Sequence, residues 1–199
     1  MDKGLRDEAV ITAMRAVPRH VFVESAFHEA AYEDRPLPIG DGQTISQPFT
    51  VAFQSAMLQA KPKMKILEIG TGSGYQAAVL CEMGMKVYSI ERIRAHHQKA
   101  AQILDELGYK LRTKWGDGSV GWAQYAPYDR ILVTAASPNI PENLKKQLKV
   151  GGKLVIPVGT LTEQEMMIVT RKSESEWEIF KNGNFKFVPL LGKEGWDIE

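Results

Sequence analysis

Short apolar runs alternate with amphipathic segments through the middle of the chain, between residues 65 and 159. The apolar runs predict strands at residues 65–70, 86–91, 110–116, 128–136 and 151–159. Segments with helical periodicity predict helices at residues 75–84, 92–108 and 141–148. Because strands that alternate with helices are typical of a mostly parallel sheet, the pattern predicts a doubly wound α/β fold with helices on both faces.

Both ends of the chain depart from this alternation. Apolar residues recur at helical spacing over residues 10–17 until Pro18 interrupts them, which predicts an N-terminal helical extension within residues 5–27. After residue 159 the pattern changes to strands without long helices. Three such runs, which predict antiparallel or edge strands added to the same sheet, lie at residues 165–172, 176–181 and 184–190.

A loop rich in proline and glycine is predicted over residues 33–46, directly before an apolar run. Pro48 fits the first turn of a helix that runs to about residue 60. Ser46 lies at this junction, and no histidine or acid is near it in the sequence to make it a nucleophile. Two interpretations are open: Ser46 caps the helix, or its hydroxyl belongs to a functional site.

The composition is that of one folded domain. The chain has 199 residues, of which 44% are hydrophobic, enough for a sizeable core. A formal net charge of +1 gives no electrostatic reason to bind nucleic acid or an anionic membrane. The single cysteine excludes an internal disulfide, and the charged N-terminus lacks the apolar segment of a signal peptide. We therefore expect a soluble, cytoplasmic protein.

The strongest indication of a site is EIGTGSG at residues 68–74, between a predicted strand and the next helix. Glycines allow tight turns and close approach of a ligand, and ligands of doubly wound sheets bind at the carboxyl ends of the strands. The spacing G-x-G-x-G, followed by Tyr75, departs from the dinucleotide fingerprint, and no Gly-Lys-Ser/Thr follows to make a P-loop. Glu68 suits a ligand with an ammonium or sulfonium group better than a pyrophosphate.

Acidic residues follow the next two predicted strands. Glu91 comes about 20 residues after the glycine loop, where an acid commonly accepts hydrogen bonds from ribose hydroxyls. Asp117 can accept from an exocyclic amine, and the amide of Gly118 can donate to a ring nitrogen. Each acid alone is compatible with a solvated strand end or a turn. Their occurrence after successive strands indicates an adenosine that carries a positive centre, which describes S-adenosylmethionine.

The motifs EIGTGSGYQAAVL, GDG, APYDRILVTAA and GGKLVIPVG resemble the successive motifs of class I S-adenosylmethionine-dependent methyltransferases. Two further stretches, PLPIGDGQTISQPFTVA and FVPL, narrow the resemblance to the bacterial type of the protein-L-isoaspartate O-methyltransferase family. The resemblance covers residues 19–190. Its TISQP block is highly specific, whereas the glycine loop alone is not. Residues 191–199 follow no pattern of the family.

The resemblance implies a single Rossmann-like methyltransferase domain built on a seven-stranded sheet. Residues 1–60 would form its helical and substrate-loop region, residues 61–160 its cofactor-binding core and residues 161–199 its C-terminal strands. The implied activity is methyl transfer from S-adenosylmethionine to the side-chain carboxylate of L-isoaspartyl residues in damaged proteins, and in many members of D-aspartyl residues. The methyl ester then collapses to a succinimide. A monomer with isoaspartyl peptides and damaged proteins as partners is expected, without nucleic acid or membrane.

The residues that the resemblance and the strand-end argument assign to the site fall into three groups. Ser46 is the expected catalytic residue. The expected cofactor-binding residues are Glu68, Gly70, Thr71, Gly72, Ser73, Gly74, Glu91, Arg92, Asp117, Gly118, Thr134 and Ala135. The expected substrate-binding residues are Thr44, Ile45, Gln47, Val188, Pro189 and Leu190. No metal site is expected, because no ligand spacing for a metal occurs.

The implied chemistry explains a serine without a base. A carboxylate with an ordinary pKa of about 4 is already ionised at neutral pH, so Ser46 would only orient it. His96 and His97 are predicted to be solvated on a polar helix face.

Three alternative functions are open: a methyltransferase for a small molecule or nucleic acid, a non-catalytic adenosine-binding module, and a nicotinamide-dependent dehydrogenase. The segment TAASPNIP lacks the (N/D)PP(Y/F) motif of DNA amino-methyltransferases, and Tyr75 disfavours the dehydrogenase.

Overall fold

The computed structural model describes residues 6–197. The α-helices in this range are α1 (Glu8–Ala16), α2 (Pro48–Met57), α3 (Tyr75–Glu82), α4 (Arg94–Glu106) and α5 (Glu142–Lys146). The strands are β1 (Leu37–Gly40), β2 (Gln43–Ile45), β3 (Lys65–Ile69), β4 (Lys86–Glu91), β5 (Arg112–Trp115), β6 (Tyr128–Val133), β7 (Leu148–Gly159), β8 (Gln164–Arg171) and β9 (Trp177–Phe185). Short 3₁₀ helices cover Arg19–Phe22, Ser25–Phe27 and Ala123–Tyr125. None of the helices described is both long and apolar enough to cross a lipid bilayer.

Seven of the strands form one sheet in the order β5-β4-β3-β6-β7-β8-β9. The strands β3 to β7 pair in parallel, and β8 and β9 extend the sheet in antiparallel pairing. The parallel strands therefore end at one edge of the sheet, where the loops after β3, β4, β5 and β6 meet. This arrangement confirms the predicted α/β class, with its mostly parallel sheet and its antiparallel C-terminal strands.

Alternate side chains of the central strands enter two separate cores. In β6, Leu132 packs with the first core, whereas Ile131 and Val133 pack with the second. The first core also takes residues from α1, α2, α3 and α4. The second is covered by α5 and by the loop that carries Trp122 and Tyr125. Helices thus lie on both faces as predicted, but most of them lie on one.

The stretch predicted as a loop over residues 33–46 contains the β1–β2 hairpin, so this part of the prediction was wrong. Leu37 and Ile39 of β1 are buried, and Ile45 of β2 pairs with Leu37. The proline and glycine residues that indicated a loop lie in the short strands and in the tight turn between them. The turn itself has positive φ angles at Asp41 (48°) and Gly42 (68°).

The third C-terminal strand, predicted at residues 184–190, does not form as a separate strand. Its first two residues belong to β9, and the remainder crosses the carboxyl edge of the sheet. There the amide of Ala136 donates to the carbonyl of Val188, and the amide of Leu190 donates to the carbonyl of Ala136, both at 2.7 Å. The segment therefore passes the end of β6 and forms an isolated bridge between Pro189 and Ala136. This places FVPL beside the loops of that edge.

The helix α2 begins at Pro48 as predicted, but Ser46 does not cap it. Gln47 occupies the N-cap position without a side-chain hydrogen bond. The amide of Phe49 in the first turn instead donates to Oδ1 of Asp34 at 2.9 Å. The cap thus comes from a residue before the β1–β2 hairpin, and the N-cap interpretation of Ser46 is wrong.

Replacement of Asp34 by alanine should lower the free energy of unfolding by about 1 kcal/mol, the usual contribution of a helix cap. Ser46→Ala is the matched control, and it should leave the free energy of unfolding nearly unchanged because the Ser46 hydroxyl caps nothing. Equilibrium unfolding in urea measures both variants. A larger loss for Ser46→Ala than for Asp34→Ala would contradict this assignment of the cap.

Candidate active site

A cavity of about 880 Å³, including its open mouth, lies at the carboxyl edge of the sheet. Three parts of the chain form its wall: the glycine loop and strand ends, the end of the β1–β2 hairpin, and the segment around FVPL. Its lining residues are Gln43, Thr44, Ile45, Ser46, Val51, Ile69, Gly70, Thr71, Gly72, Ser73, Tyr75, Gln76, Ile90, Glu91, Arg92, Ile93, Gly118, Thr134, Ala135, Val188, Pro189, Leu190 and Leu191.

The glycine loop turns sharply between β3 and α3. Gly70, Gly72 and Gly74 have φ angles of 95°, 53° and 93°, in the region that favours glycine. A Cβ at position 70 would lie 2.5 Å from Oγ1 of Thr134, at the end of the neighbouring strand β6. That hydroxyl donates to the carbonyl oxygens of Ile69 and Gly70. The loop therefore lies tightly against the next strand, and at Gly70 and Gly72 it presents only backbone to the cavity.

Glu91 ties the glycine loop to the end of β4. Its Oε2 accepts from the amide of Gly72 at 2.8 Å, and its Oε1 accepts from the amide of Ile93 at 2.8 Å. Only 7% of the residue is exposed, yet it lines the cavity. A carboxylate has about four acceptor positions, so these two bonds leave capacity for hydroxyl groups of a ligand.

Glu68 does not reach the cavity. It is fully buried beneath the glycine loop, where its Oε2 accepts from the Ser89 hydroxyl, which also bonds to Oγ1 of Thr71. Burial raises the pKa of Glu68, the Ser89 hydrogen bond lowers it and the nearby charge of Glu91 raises it, with a net result of about 8. Glu68 is therefore mainly neutral at pH 7 and offers no negative charge to a sulfonium, contrary to the argument from the sequence.

Asp117 also lies outside the lining, because the C-terminal tail covers it. Its Oδ2 accepts from the amide of Lys193 at 2.9 Å, and its Oδ1 accepts from the amide and hydroxyl of Ser119. Partial burial disfavours the charged form, but these hydrogen bonds outweigh it and lower the pKa of Asp117. Beyond this point Glu194 accepts from the amide of Asn143 at 2.9 Å, and the Trp196 indole donates to the carbonyl of Ala136.

The β1–β2 hairpin closes the cavity over the glycine loop. A Cβ at Gly72 would lie 3.6 Å from Cδ1 of Ile39. At the hairpin turn, Oδ2 of Asp41 lies 3.2 Å from Nε2 of His96, a residue of α4 that is only 5% exposed. The prediction that His96 is solvated was therefore wrong, because the hairpin packs on the polar face of that helix.

Ser46 follows the hairpin and lies half-buried in the wall of the cavity. A second, smaller cavity of about 350 Å³ adjoins it on the side away from the glycine loop. Ser46, Thr44, Thr134 and Val188 line both cavities, so the two are neighbours. Gln47 lines only the smaller one, together with Lys186.

The larger cavity brings the predicted site residues together, with four exceptions. Glu68, Gly74, Asp117 and Gln47 do not line it; Gly74 instead packs against Leu104 of α4. The lining also contains residues that the motifs did not indicate: Gln43, Val51, Ile69, Tyr75, Gln76, Ile90, Ile93 and Leu191. Most of these are direct neighbours of predicted residues. Tyr75 and Gln76 open α3, so the position of the glycine loop was a usable signal for them.

A family model for protein-L-isoaspartate(D-aspartate) O-methyltransferase (PCMT) matches residues 1–195. The chain belongs to this family. Relatives of that name include one from Cytophaga hutchinsonii, 54% identical over 100% of this chain and 90% of its own length. Another, from Christiangramia forsetii, is 53% identical over 95% of this chain and 89% of its own. The sequence-based assignment is confirmed: the chain is an enzyme that transfers methyl groups from S-adenosylmethionine to isoaspartyl residues, the first step of repair.

Solved structures of the family have the same fold. One protein-L-isoaspartate O-methyltransferase superposes with a TM-score of 0.87 at 29% identity, covering 95% of this chain and 63% of the longer one. A structure from Plasmodium falciparum, described as this methyltransferase in complex with S-adenosyl-L-homocysteine, superposes with a TM-score of 0.81. At 22% identity over 93% of this chain and 91% of its own, it supports the fold alone.

The residues present fit S-adenosylmethionine. The cavity combines a backbone surface, at Gly70 and Gly72, with the Glu91 carboxylate, whose remaining acceptor positions suit ribose hydroxyls. A pyrophosphate would meet that carboxylate unfavourably, since like charges repel. The cavity also extends from the glycine loop to Ser46, so one wall can hold the cofactor while the other remains for an acceptor.

Gly70→Ala should weaken binding of S-adenosylhomocysteine at least about 10-fold, because its methyl group must displace Thr134 or the loop. Gly151→Ala is the matched control. Its φ of 78° imposes the same kind of backbone strain, about 1–2 kcal/mol, but no atom lies within 4 Å of the added Cβ. Calorimetric titration should show normal affinity for the control. Equal affinities in the two variants would contradict the tight packing of the loop.

Glu68→Gln should flatten the pH dependence of stability between pH 5 and pH 8. The pKa of Glu68 rises from 4.5 to about 8 on folding, so the folded protein keeps a proton that the unfolded chain releases. This contribution is complete below pH 4.5, declines by up to about 1.4 kcal/mol per pH unit, and is gone above pH 8. Urea unfolding at several pH values tests it; parallel stability curves for both proteins would disprove a neutral Glu68.

Proposed function

We propose that the Ser46 hydroxyl orients the isoaspartyl carboxylate toward the methyl group of the cofactor. One observation carries the proposal: a single cavity has the glycine loop and Glu91 on one wall, and Ser46 with Val188 and Pro189 on the other. Ser46 lies where this cavity meets the smaller one. An acceptor that enters past Ser46 would therefore approach the cofactor wall directly.

The reaction requires little chemistry from the side chains. The acceptor carboxylate has an ordinary pKa of about 4 and is ionised before it binds. Bound S-adenosylmethionine supplies an electrophilic methyl group on a sulfonium. The chain contributes orientation: Ser46 donates a hydrogen bond to one carboxylate oxygen, and the other oxygen faces the cofactor wall. Orientation of this kind can supply roughly 7–11 kcal/mol of rate acceleration.

The backbone around FVPL provides a surface for the peptide that carries the isoaspartyl residue. Val188 and Leu190 bond to Ala136, which holds the segment extended across the edge of the sheet. Val188 and Thr44 line both cavities, so a peptide chain would lie between the hairpin and this segment. We assign Thr44, Ile45, Gln47, Val188, Pro189 and Leu190 to the peptide side, and the glycine loop, Glu91, Arg92, Gly118, Thr134 and Ala135 to the cofactor side.

We further propose that the chain acts as a cytoplasmic monomer on L-isoaspartyl and D-aspartyl sites, without nucleic acid or membrane. A complete site within one chain supports the monomer, since cofactor wall, hairpin and FVPL segment all come from the same chain. The single cysteine and the net charge of +1 support the compartment and the absence of polyanionic partners.

Ser46→Ala should lower kcat for an isoaspartyl peptide about 10-fold to 100-fold, because the carboxylate loses its orienting donor. The affinity for S-adenosylhomocysteine should stay within about twofold, since Ser46 lies opposite the cofactor wall. Transfer of a radiolabelled methyl group measures the rate, and the normal aspartyl peptide is the control acceptor. A variant that binds the cofactor much more weakly, with kcat intact, would place Ser46 in the cofactor site instead.

A further inference from the structure

Arg19 is a charged residue buried beside the candidate active site. It begins the 3₁₀ helix Arg19–Phe22 and is 1% exposed. Its Nε donates to the carbonyl of Ala31 at 2.7 Å, and its Nη2 donates to the carbonyl of Ser46 at 2.8 Å. These carbonyls lie 12 and 27 residues further along the chain, so one guanidinium joins three separate segments.

The same guanidinium contacts the cofactor wall of the cavity. Its central carbon lies 4.7 Å from the centre of the Tyr75 ring. Tyr75 opens α3 directly after the glycine loop and lines the cavity. Arg19 therefore touches the residue that follows the glycine loop and also holds the backbone of the serine opposite it.

Arginine is suited to this position for physical reasons. Burial lowers the pKa of Arg19, whereas Tyr75 and the charge of Asp34 raise it; arginine stays protonated in proteins despite burial. Its planar fork donates in fixed directions to two carbonyls at once, which a lysine ammonium on a flexible stem does not reproduce. Bonds to charged donors are also roughly twice as strong as neutral ones.

We infer that Arg19 is a positioning residue for methyl transfer, because it fixes the backbone of Ser46 at a set distance from the cofactor wall. The inference rests on the proposed role of Ser46. It adds that the position of the Ser46 hydroxyl depends on the 3₁₀ helix at residues 19–22, which lies outside the cavity.

A purely structural role is the competing explanation, and the chain offers a matched control for it. Arg130 is also buried, with 9% exposure, and also serves carbonyls: Nε donates to Leu58 at 2.5 Å and Nη2 to Gln59 at 3.2 Å. Arg130 lies in β6 three residues before the end of the strand and does not line the cavity. It therefore has the same chemistry as Arg19 without contact to Ser46.

The experiment compares Arg19→Lys and Arg130→Lys, each alone and each combined with Ser46→Ala. We expect Arg19→Lys to lower kcat/KM for an isoaspartyl peptide at least about 10-fold, with S-adenosylhomocysteine affinity within about threefold. Arg130→Lys should lower the melting temperature with kcat/KM within about twofold. In the Ser46→Ala background, Arg19→Lys should lower kcat/KM by less than about a further twofold. Both changes act on the same orientation of the acceptor carboxylate, so their effects do not add.

The inference is overturned if Arg19→Lys lowers kcat/KM by the same factor in the native protein and in the Ser46→Ala background. It is also overturned if Arg19→Lys and Arg130→Lys lower kcat/KM equally. Should Ser46→Ala retain full activity, the proposed role of Ser46 fails and the inference fails with it. Normal activity of Arg19→Lys beside an impaired Ser46→Ala overturns the inference alone. If Arg19→Lys does not fold, Arg19→Met replaces it, because a buried ionic group often tolerates an apolar residue of similar volume; the same outcomes then decide.

Discussion

The parallel register of β4, β3 and β6 is the constraint on which the rest of the site depends. Ile69 at the end of β3 pairs with Ile90 on one side and with Val133 on the other. The next residues of the three strands, Gly70, Glu91 and Thr134, therefore emerge at the same level. The glycine loop can then bond to Glu91 and pack against Thr134 without any long connection.

Charge near this edge is distributed unevenly, and the distribution follows from burial. Glu68 and Glu91 belong to neighbouring strands, and their mutual repulsion would be severe if both were ionised beneath the loop. Burial keeps Glu68 mainly neutral, whereas two amide donors hold the Glu91 carboxylate. The negative group in the lining of the cavity is thus the Glu91 carboxylate, which lies on the side where the ribose hydroxyls of the cofactor are expected. A neutral Glu68 serves the loop as a hydrogen-bond acceptor rather than as a counter-ion.

Methyl transfer to a carboxylate requires accurate placement of the acceptor rather than acid or base groups. In this chain the β1–β2 hairpin determines that placement. Ile39 contacts the glycine loop, Asp41 lies against His96 of α4, and Arg19 holds the carbonyl of Ser46. The hairpin is anchored at its face, its turn and its end. Each anchor reaches a different part of the chain, so the substrate wall is tied to the rest of the site at three places.

The sequence alone determined the mostly parallel part of the sheet, the glycine loop and the family, because strand and helix periodicity, glycine spacing and short motifs are local properties. It also indicated Glu91, from its position after the second predicted strand of the alternating region, and Ser46, from the TISQP block; both line the cavity. The tertiary structure alone decided that Asp34 caps α2, that Glu68 is buried away from the cavity, and that the tail covers Asp117. It likewise decided that Arg19 serves Ser46. These contacts join residues far apart in the chain, and desolvation depends on everything packed around a group, so no local pattern encodes them.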